Sequence, residues 1–157
     1  MKNILKLIAC IAVCQIVGML GAFFTIQSVT TWYPVLIKPV YNPPNWIFAP
    51  VWTVLYLMMA LSAYLVWKKG FGIQAVRGAL LVFLLQLLLN GLWSAVFFGL
   101  RSVEGGLIVI IFLLSSIIWT ILRFRAISKP AAALLIPYVG WVCFAAFLNA
   151  AIVSLNK

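Results

Sequence analysis

The amino-acid sequence predicts an all-α integral membrane protein, a single five-transmembrane-helix bundle spanning residues 1–157. Three observations lead there. Hydrophobic residues make up 67% of the chain and charged residues only 8%, with a mean hydropathy of +1.23; about a quarter of a soluble domain is charged. Five uncharged apolar runs reach the length, about 20 residues, that crosses a hydrocarbon core as a helix. The lysines and arginines stand at the ends of those runs, where membrane anchors and topology determinants belong.

The first span is Leu7 to Ile26. Lys2 and Lys6 precede it as in a signal peptide, but the run is long and no small-residue cleavage site ends it, so an uncleaved helix is expected. Its Gln15, Gly18, Ala22 and Thr25 share one face. A long connection, 27–45, follows and contains most of "KPVYNPPNWIF". Pro34, Pro39, Pro43 and Pro44 each fix φ and remove a donor, and they push the preceding residue toward extended backbone. Residues 34–44 are therefore expected to be stiff, extended and non-helical. Trp32, Tyr33, Tyr41 and Trp46 suit a membrane interface. The segment reads either as an interfacial loop with an aromatic belt or as a lid over the open end of the bundle.

The second span, Trp46 to Trp67, carries Ala49, Thr53, Tyr56, Ala60 and Ala63 at helical spacing. In the third, Ala79 to Leu100, Gln86, Asn90 and Ser94 recur every four residues, flanked by Trp93 and Phe97. A second ridge of that helix, Gly91, Ala95 and Gly99, lets backbones approach closely and fits either internal packing or a homodimer seam. The fourth span is Gly105 to Leu122. The fifth, Ala132 to Val153, aligns Tyr138, Trp141, Ala145 and Asn149. Small and polar residues in membrane helices mark faces turned from lipid. They imply a partly hollow interior, or interhelical hydrogen bonds at about 0.6 kcal/mol each, or both.

Eight basic residues fall at one end of the bundle and three (Lys38, Arg101, Lys157) at the other, which predicts a cytoplasmic N-terminus and an outer long loop. The absence of histidine and the single acidic residue, Glu104, remove paired carboxylates, imidazole bases and the usual metal ligands. Cys10, Cys14 and Cys143 sit in apolar runs and read as small buried hydrophobes. The net charge of +10 is spread over helix ends, so no nucleic-acid partner is implied. No nucleotide-binding loop, buried acid for ion coupling or inverted repeat supports an active transporter.

Three stretches in order resemble one family. "WYPVLIKPVYNPPNWIFAPVWTVLYLMMALSAYLVW" is similar to the first loop and second helix of the translocator protein family, whose bacterial members are the tryptophan-rich sensory proteins and whose mammalian member was named the peripheral-type benzodiazepine receptor. "LQLLLNGLWSAVFFG" resembles its third helix and "PYVGWVCFAAFLN" its fifth. The resemblance implies a bacterial membrane protein, usually a homodimer, with a cavity roofed by the first loop. It implies porphyrin ligands such as protoporphyrin IX and haem, and benzodiazepine- or isoquinoline-carboxamide-type drugs, with no further cofactor required. The family's pocket positions fall on Tyr33, Trp52, Asn90, Trp141, Ala145 and Leu148, with Tyr56 and Gln86 nearby. Some members are reported to promote light- and oxygen-dependent porphyrin breakdown, for which Trp52 and Trp141 would be the oxidisable residues; a transporter of small hydrophobic molecules is the alternative. The mammalian sterol pattern is missing from "FLNAAIVSLNK", where Ala150 replaces its tyrosine, and this argues against cholesterol.

The residues themselves support such a ligand. A flat aromatic guest needs apolar walls, ring faces and a few orienting polar groups. Trp52 and Trp141 offer rings, worth about 0.5–1.5 kcal/mol per pair beyond burial. Asn90 and Tyr33 offer hydrogen bonds, and Ala145 leaves space.

Overall fold

The computed structural model describes residues 2–157, apart from the side chain of Lys2. The five apolar runs fold as six helices: α1 Lys2–Val29, α2 Asn45–Trp67, α3 Gln74–Ser94, α4 Val103–Ile127, α5 Lys129–Leu134 and α6 Ile136–Leu155. No strand occurs among the described residues, and five helical stretches are long and apolar enough to cross a membrane. The helices outgrow the runs that predicted them. Charged and polar flanks continue the helix where backbone caps allow, whereas the run criterion stops at the first charge. At the start of α4, the Ser102 hydroxyl accepts from the Gly105 N–H at 3.1 Å, with Glu104 in the first, anion-favouring turn.

Three local expectations are revised. The fifth span, expected as one helix over 132–153, is divided into α5 and α6 at Leu135. Pro137 has no N–H to return to the preceding turn, so the ladder breaks there. The stretch expected to be wholly extended begins with a 3-10 turn, Tyr33–Val35. Pro34 is the second residue of that turn, where its missing donor costs nothing. Beyond it, Leu36 is extended, with φ −69° and ψ 139°. Finally, α3 ends in a π turn, Ala95–Gly99, closed by Leu100 N–H donating to the Ala95 carbonyl at 2.8 Å.

The helices pack with α1 beside α2 and α3, α4 against α3 and α6, and α5 against α2 and α4. At the end where α3 begins, the Phe83 and Phe124 rings stack at 5.8 Å between α3 and α4, and the Ser62 hydroxyl donates to the Ala131 carbonyl at 2.7 Å between α2 and α5. Two residues of the Gly91, Ala95 and Gly99 ridge, Gly91 and Gly99, lie close against α1. A Cβ on Gly91 would stand 3.4 Å from Val17, and one on Gly99 2.8 Å from Phe24, both on α1.

At the opposite end, the first loop is tied to the bundle by polar and aromatic contacts. The Asn156 amide, just past α6, pairs with both backbone groups of Ile37: its Nδ2 donates to the carbonyl at 2.9 Å and its Oδ1 accepts from the N–H at 3.0 Å. Tyr41 stacks on Phe147 at 5.4 Å. Lys38 turns back over its own loop, donating to the carbonyls of Tyr33 at 2.8 Å, Leu36 at 3.0 Å and Pro34 at 3.3 Å. A free ammonium would stay in water; here three carbonyls replace that hydration and hold the loop in one shape.

Candidate functional site

In the half of the bundle nearer this loop, α1, α2, the end of α3 and α6 draw apart and leave a cavity of about 360 Å³. The small residues of α1 make the room, since Gly18, Gly21, Ala22 and Thr25 border the cavity together with Gln15. Aromatic rings form much of the remaining wall: Phe48, Trp52 and Tyr56 from α2, Trp93, Phe97 and Phe98 from the end of α3, and Tyr33 from the loop. Ala145, Leu148 and Asn149 of α6 complete it. No lysine, arginine, aspartate or glutamate is among the described wall residues.

The π turn explains the density of rings at the loop end. An extra residue in the turn shifts the register, so Phe97 and Phe98 both reach the interior and meet edge to face at 4.8 Å. Trp93 stacks on Phe97 at 5.4 Å, and Tyr33 lies 5.8 Å from Phe98. The Ser28 hydroxyl donates to the Phe98 carbonyl at 2.6 Å, fastening the end of α1 to this turn. Tyr33 is 3% exposed, and burial pushes its phenol up to about 12 although the bond to Asn42 pulls the other way. The group therefore remains a neutral donor, bonded to Asn42 Oδ1 at 2.7 Å.

Of the ligand-contacting residues expected from the sequence, Tyr33, Trp52, Tyr56, Ala145 and Leu148 line this cavity. Asn90 and Gln86 do not. Both lie beneath its floor in a closed chain of hydrogen bonds. The Tyr56 hydroxyl donates to Asn90 Oδ1, Asn90 Nδ2 donates to the Tyr138 hydroxyl at 2.9 Å, and that hydroxyl donates to Gln86 Oε1 at 2.9 Å. Gln86 Nε2 then points to Met59 Sδ at 3.9 Å. A guest in the cavity meets the ring of Tyr56 rather than the amide of Asn90. Trp141 also stands outside the wall, edge-on behind Phe48 at 6.0 Å, whereas Trp93 stands in it. Trp93 was visible in the sequence as a neighbour of the Asn90 face, but only the π turn decides that it and Phe98 share the interior.

Among the described residues every buried side-chain nitrogen and oxygen has a hydrogen-bond partner, so breaking the floor network has a definite cost. Tyr138→Phe strands Asn90 Nδ2 and Gln86 Oε1 together. An orphaned buried group costs about 1–3 kcal/mol, so a loss of about 2 kcal/mol, or roughly 4–8 °C in melting temperature, is expected. Ligand affinity should change little, since Tyr138 is not in the wall. Thermal denaturation of the two proteins in one detergent checks this; equal melting points would contradict the network's role.

The sequence has relatives. The TspO/MBR family model matches residues 10–155. The chain is 44% identical to the tryptophan-rich protein TspO of Chlorobaculum tepidum over 99% of this chain and 98% of that one. It is 47% identical to the protein of the same name from Archaeoglobus fulgidus, covering 98% and 99%. It is 39% identical to the translocator protein of Bos taurus, covering 84% and 79%. With an all-helical bundle of five candidate spans and a family match that runs from α1 to the end of α6, the chain is a multi-pass membrane protein that belongs to the TspO/MBR family.

Proposed function

We propose that this protein is a membrane receptor or sensor that binds flat, largely apolar aromatic molecules in the cavity, porphyrins such as protoporphyrin IX and haem together with benzodiazepine- and isoquinoline-carboxamide-type drugs. The observation that carries the reading is the uncharged, ring-walled cavity of about 360 Å³, inside the range of about 300–1,000 Å³ typical of small-molecule sites. The enclosed part suits a neutral aromatic system between Trp52, Trp93 and Phe97. Porphyrin carboxylates are expected at the open rim, because burying them with no cation in the wall would be costly. The first loop acts as the lid, with Tyr33 presented inward by Asn42 and Lys38. The basic end of the bundle faces the cytoplasm in this reading, on the eight-to-three division of Lys and Arg.

Protoporphyrin IX titrated against intrinsic Trp fluorescence tests the site. Ala145 belongs to the wall, and Ala145→Thr adds a methyl and a hydroxyl there. About tenfold weaker binding is expected, the effect of overpacking by roughly 1.4 kcal/mol. Unchanged affinity in the folded variant would remove the cavity from the account.

A photochemical extension has one observation in its favour: Trp52 and Trp93 both border the cavity. The excited porphyrin and oxygen would supply the reactive species, and the protein would supply confinement and oxidisable indoles. Illumination without oxygen should then leave the porphyrin absorbance intact; bleaching at the aerobic rate rules this extension out.

A further inference from the structure

A second concave surface lies away from the cavity, on the outward side of α3 and α4. It is a groove of about 370 Å³ between Leu85 and Leu89 of α3 and Phe112, Ser115, Ser116 and Trp119 of α4. Its two serines are turned into their own helix, bonded to the Ile111 carbonyl at 2.9 Å and the Leu113 carbonyl at 2.7 Å, which leaves an apolar surface. Phe112 is 63% and Trp119 46% exposed, so none of the described elements closes the groove. One turn beyond Trp119, the Arg123 guanidinium lies over the Trp119 ring, 5.8 Å from its centroid.

The charge at that end has no internal counterpart. Lys6, Lys68, Lys69, Arg77, Arg123, Arg125 and Lys129 stand there, while the sole acidic residue, Glu104, begins α4 at the other end. The spacing along α4 is also informative. Phe112 to Arg123 is eleven residues, about 16 Å at 1.5 Å per residue. That is half of a hydrocarbon core of about 30 Å, the depth of one leaflet. The apolar trough, lined on α4 from Phe112 to Trp119, thus ends at an aromatic ring, with an uncompensated guanidinium one turn beyond it at the depth of the leaflet surface.

We propose that the α3–α4 groove and Arg123 form a binding site for an anionic phospholipid of the leaflet at the basic end. One acyl chain lies in the groove against Trp119, and the phosphate takes the outward donors of the Arg123 guanidinium. A planar, always-charged guanidinium holds a phosphate with two parallel hydrogen bonds, which a diffuse attraction to the membrane surface does not require. Preference for a net negative headgroup over a zwitterionic one follows from the absence of any acid at this end. An acidic protein segment fits less well, because the groove is apolar and reaches the middle of the span.

The test uses the full chain in vesicles of phosphatidylcholine and phosphatidylglycerol, with brominated acyl chains placed on one lipid or the other. Bromine quenches a touching indole, and the difference between the parent and Trp119→Phe isolates Trp119. Brominated phosphatidylglycerol is expected to quench Trp119 at about fivefold lower mole fraction than brominated phosphatidylcholine, the effect of roughly one basic contact. Arg123→Gln should abolish that difference, Arg123→Lys should keep part of it, and Arg101→Gln, at the opposite end, should leave it whole. Equal quenching by the two lipids in the parent, or a preference that survives Arg123→Gln, overturns the proposal. So does an indole that neither lipid reaches, which would mean that a second copy of the chain covers this face.

Discussion

Gly18→Leu is expected to abolish binding in the cavity while the helical bundle persists. Gly18 lies in the cavity wall, and a Cβ built there falls 2.8 Å from both Cδ2 and Cε2 of Tyr56. The ring has little freedom to retreat. Its hydroxyl is committed to Asn90, its face leans on Trp52 at 5.7 Å, and the residue is only 5% exposed. A leucine must therefore push into the space a ligand needs, displace the ring, or do both. A loss of at least about 100-fold in protoporphyrin and drug affinity is expected, equivalent to about 2.7 kcal/mol, with Gly18→Ala intermediate. Calorimetric or fluorescence titration of the folded variants decides the matter. Parent-like affinity in Gly18→Leu would mean that ligands bind elsewhere.

Gly106→Val should instead cost stability. Gly106 is buried in α4, and its absent Cβ would sit 2.7 Å from Phe97 Cδ2, 3.1 Å from Phe97 Cβ and 3.1 Å from Asn149 Oδ1. The Phe97 ring is hemmed in by Trp32 at 5.7 Å, Trp93 at 5.4 Å and Phe98 at 4.8 Å. Asn149 is bound too, its Nδ2 donating to the Val103 carbonyl at 2.8 Å. Overpacking of this kind costs about 1–3 kcal/mol; a branched side chain belongs at the upper end, which lowers the melting temperature by roughly 6–12 °C. Gly140→Ala is the control, because nothing lies within 4 Å of a Cβ there. Alanine's better helix propensity, by up to about 1 kcal/mol, should leave that variant neutral or slightly more stable. If Gly106→Val and Gly140→Ala melt together, the close approach of α4 to the π turn has no energetic weight.

These two glycines show the limit of sequence patterns. Gly18 was legible as part of a small face on α1 because helical period is a local property. Gly106 carried no such signal, since what makes it intolerant of a side chain is a phenylalanine on another helix. The same division runs through the site. Tyr33, Trp52, Ala145 and Leu148 come from the resemblance and lie in the wall. The Gln86, Asn90 and Ser94 stripe marks an inward face, but the stripe does not say what each residue meets there. Ser94 borders the cavity, whereas Asn90 and Gln86 are closed off by two tyrosines from α2 and α6.

Local chemistry settled the number of spans, their order and the basic end, because apolar length and charge act within a few residues. Where the hollow lies, which rings border it and which amides are already spent depended on the approach of helices distant in sequence. The π turn that brings Phe98 inward, the use of the glycine ridge by α1 and the Asn156–Ile37 pairing across 119 residues are all of this kind. Contacts between helices are set by how whole side-chain surfaces interlock, and no single stretch of chain contains both surfaces.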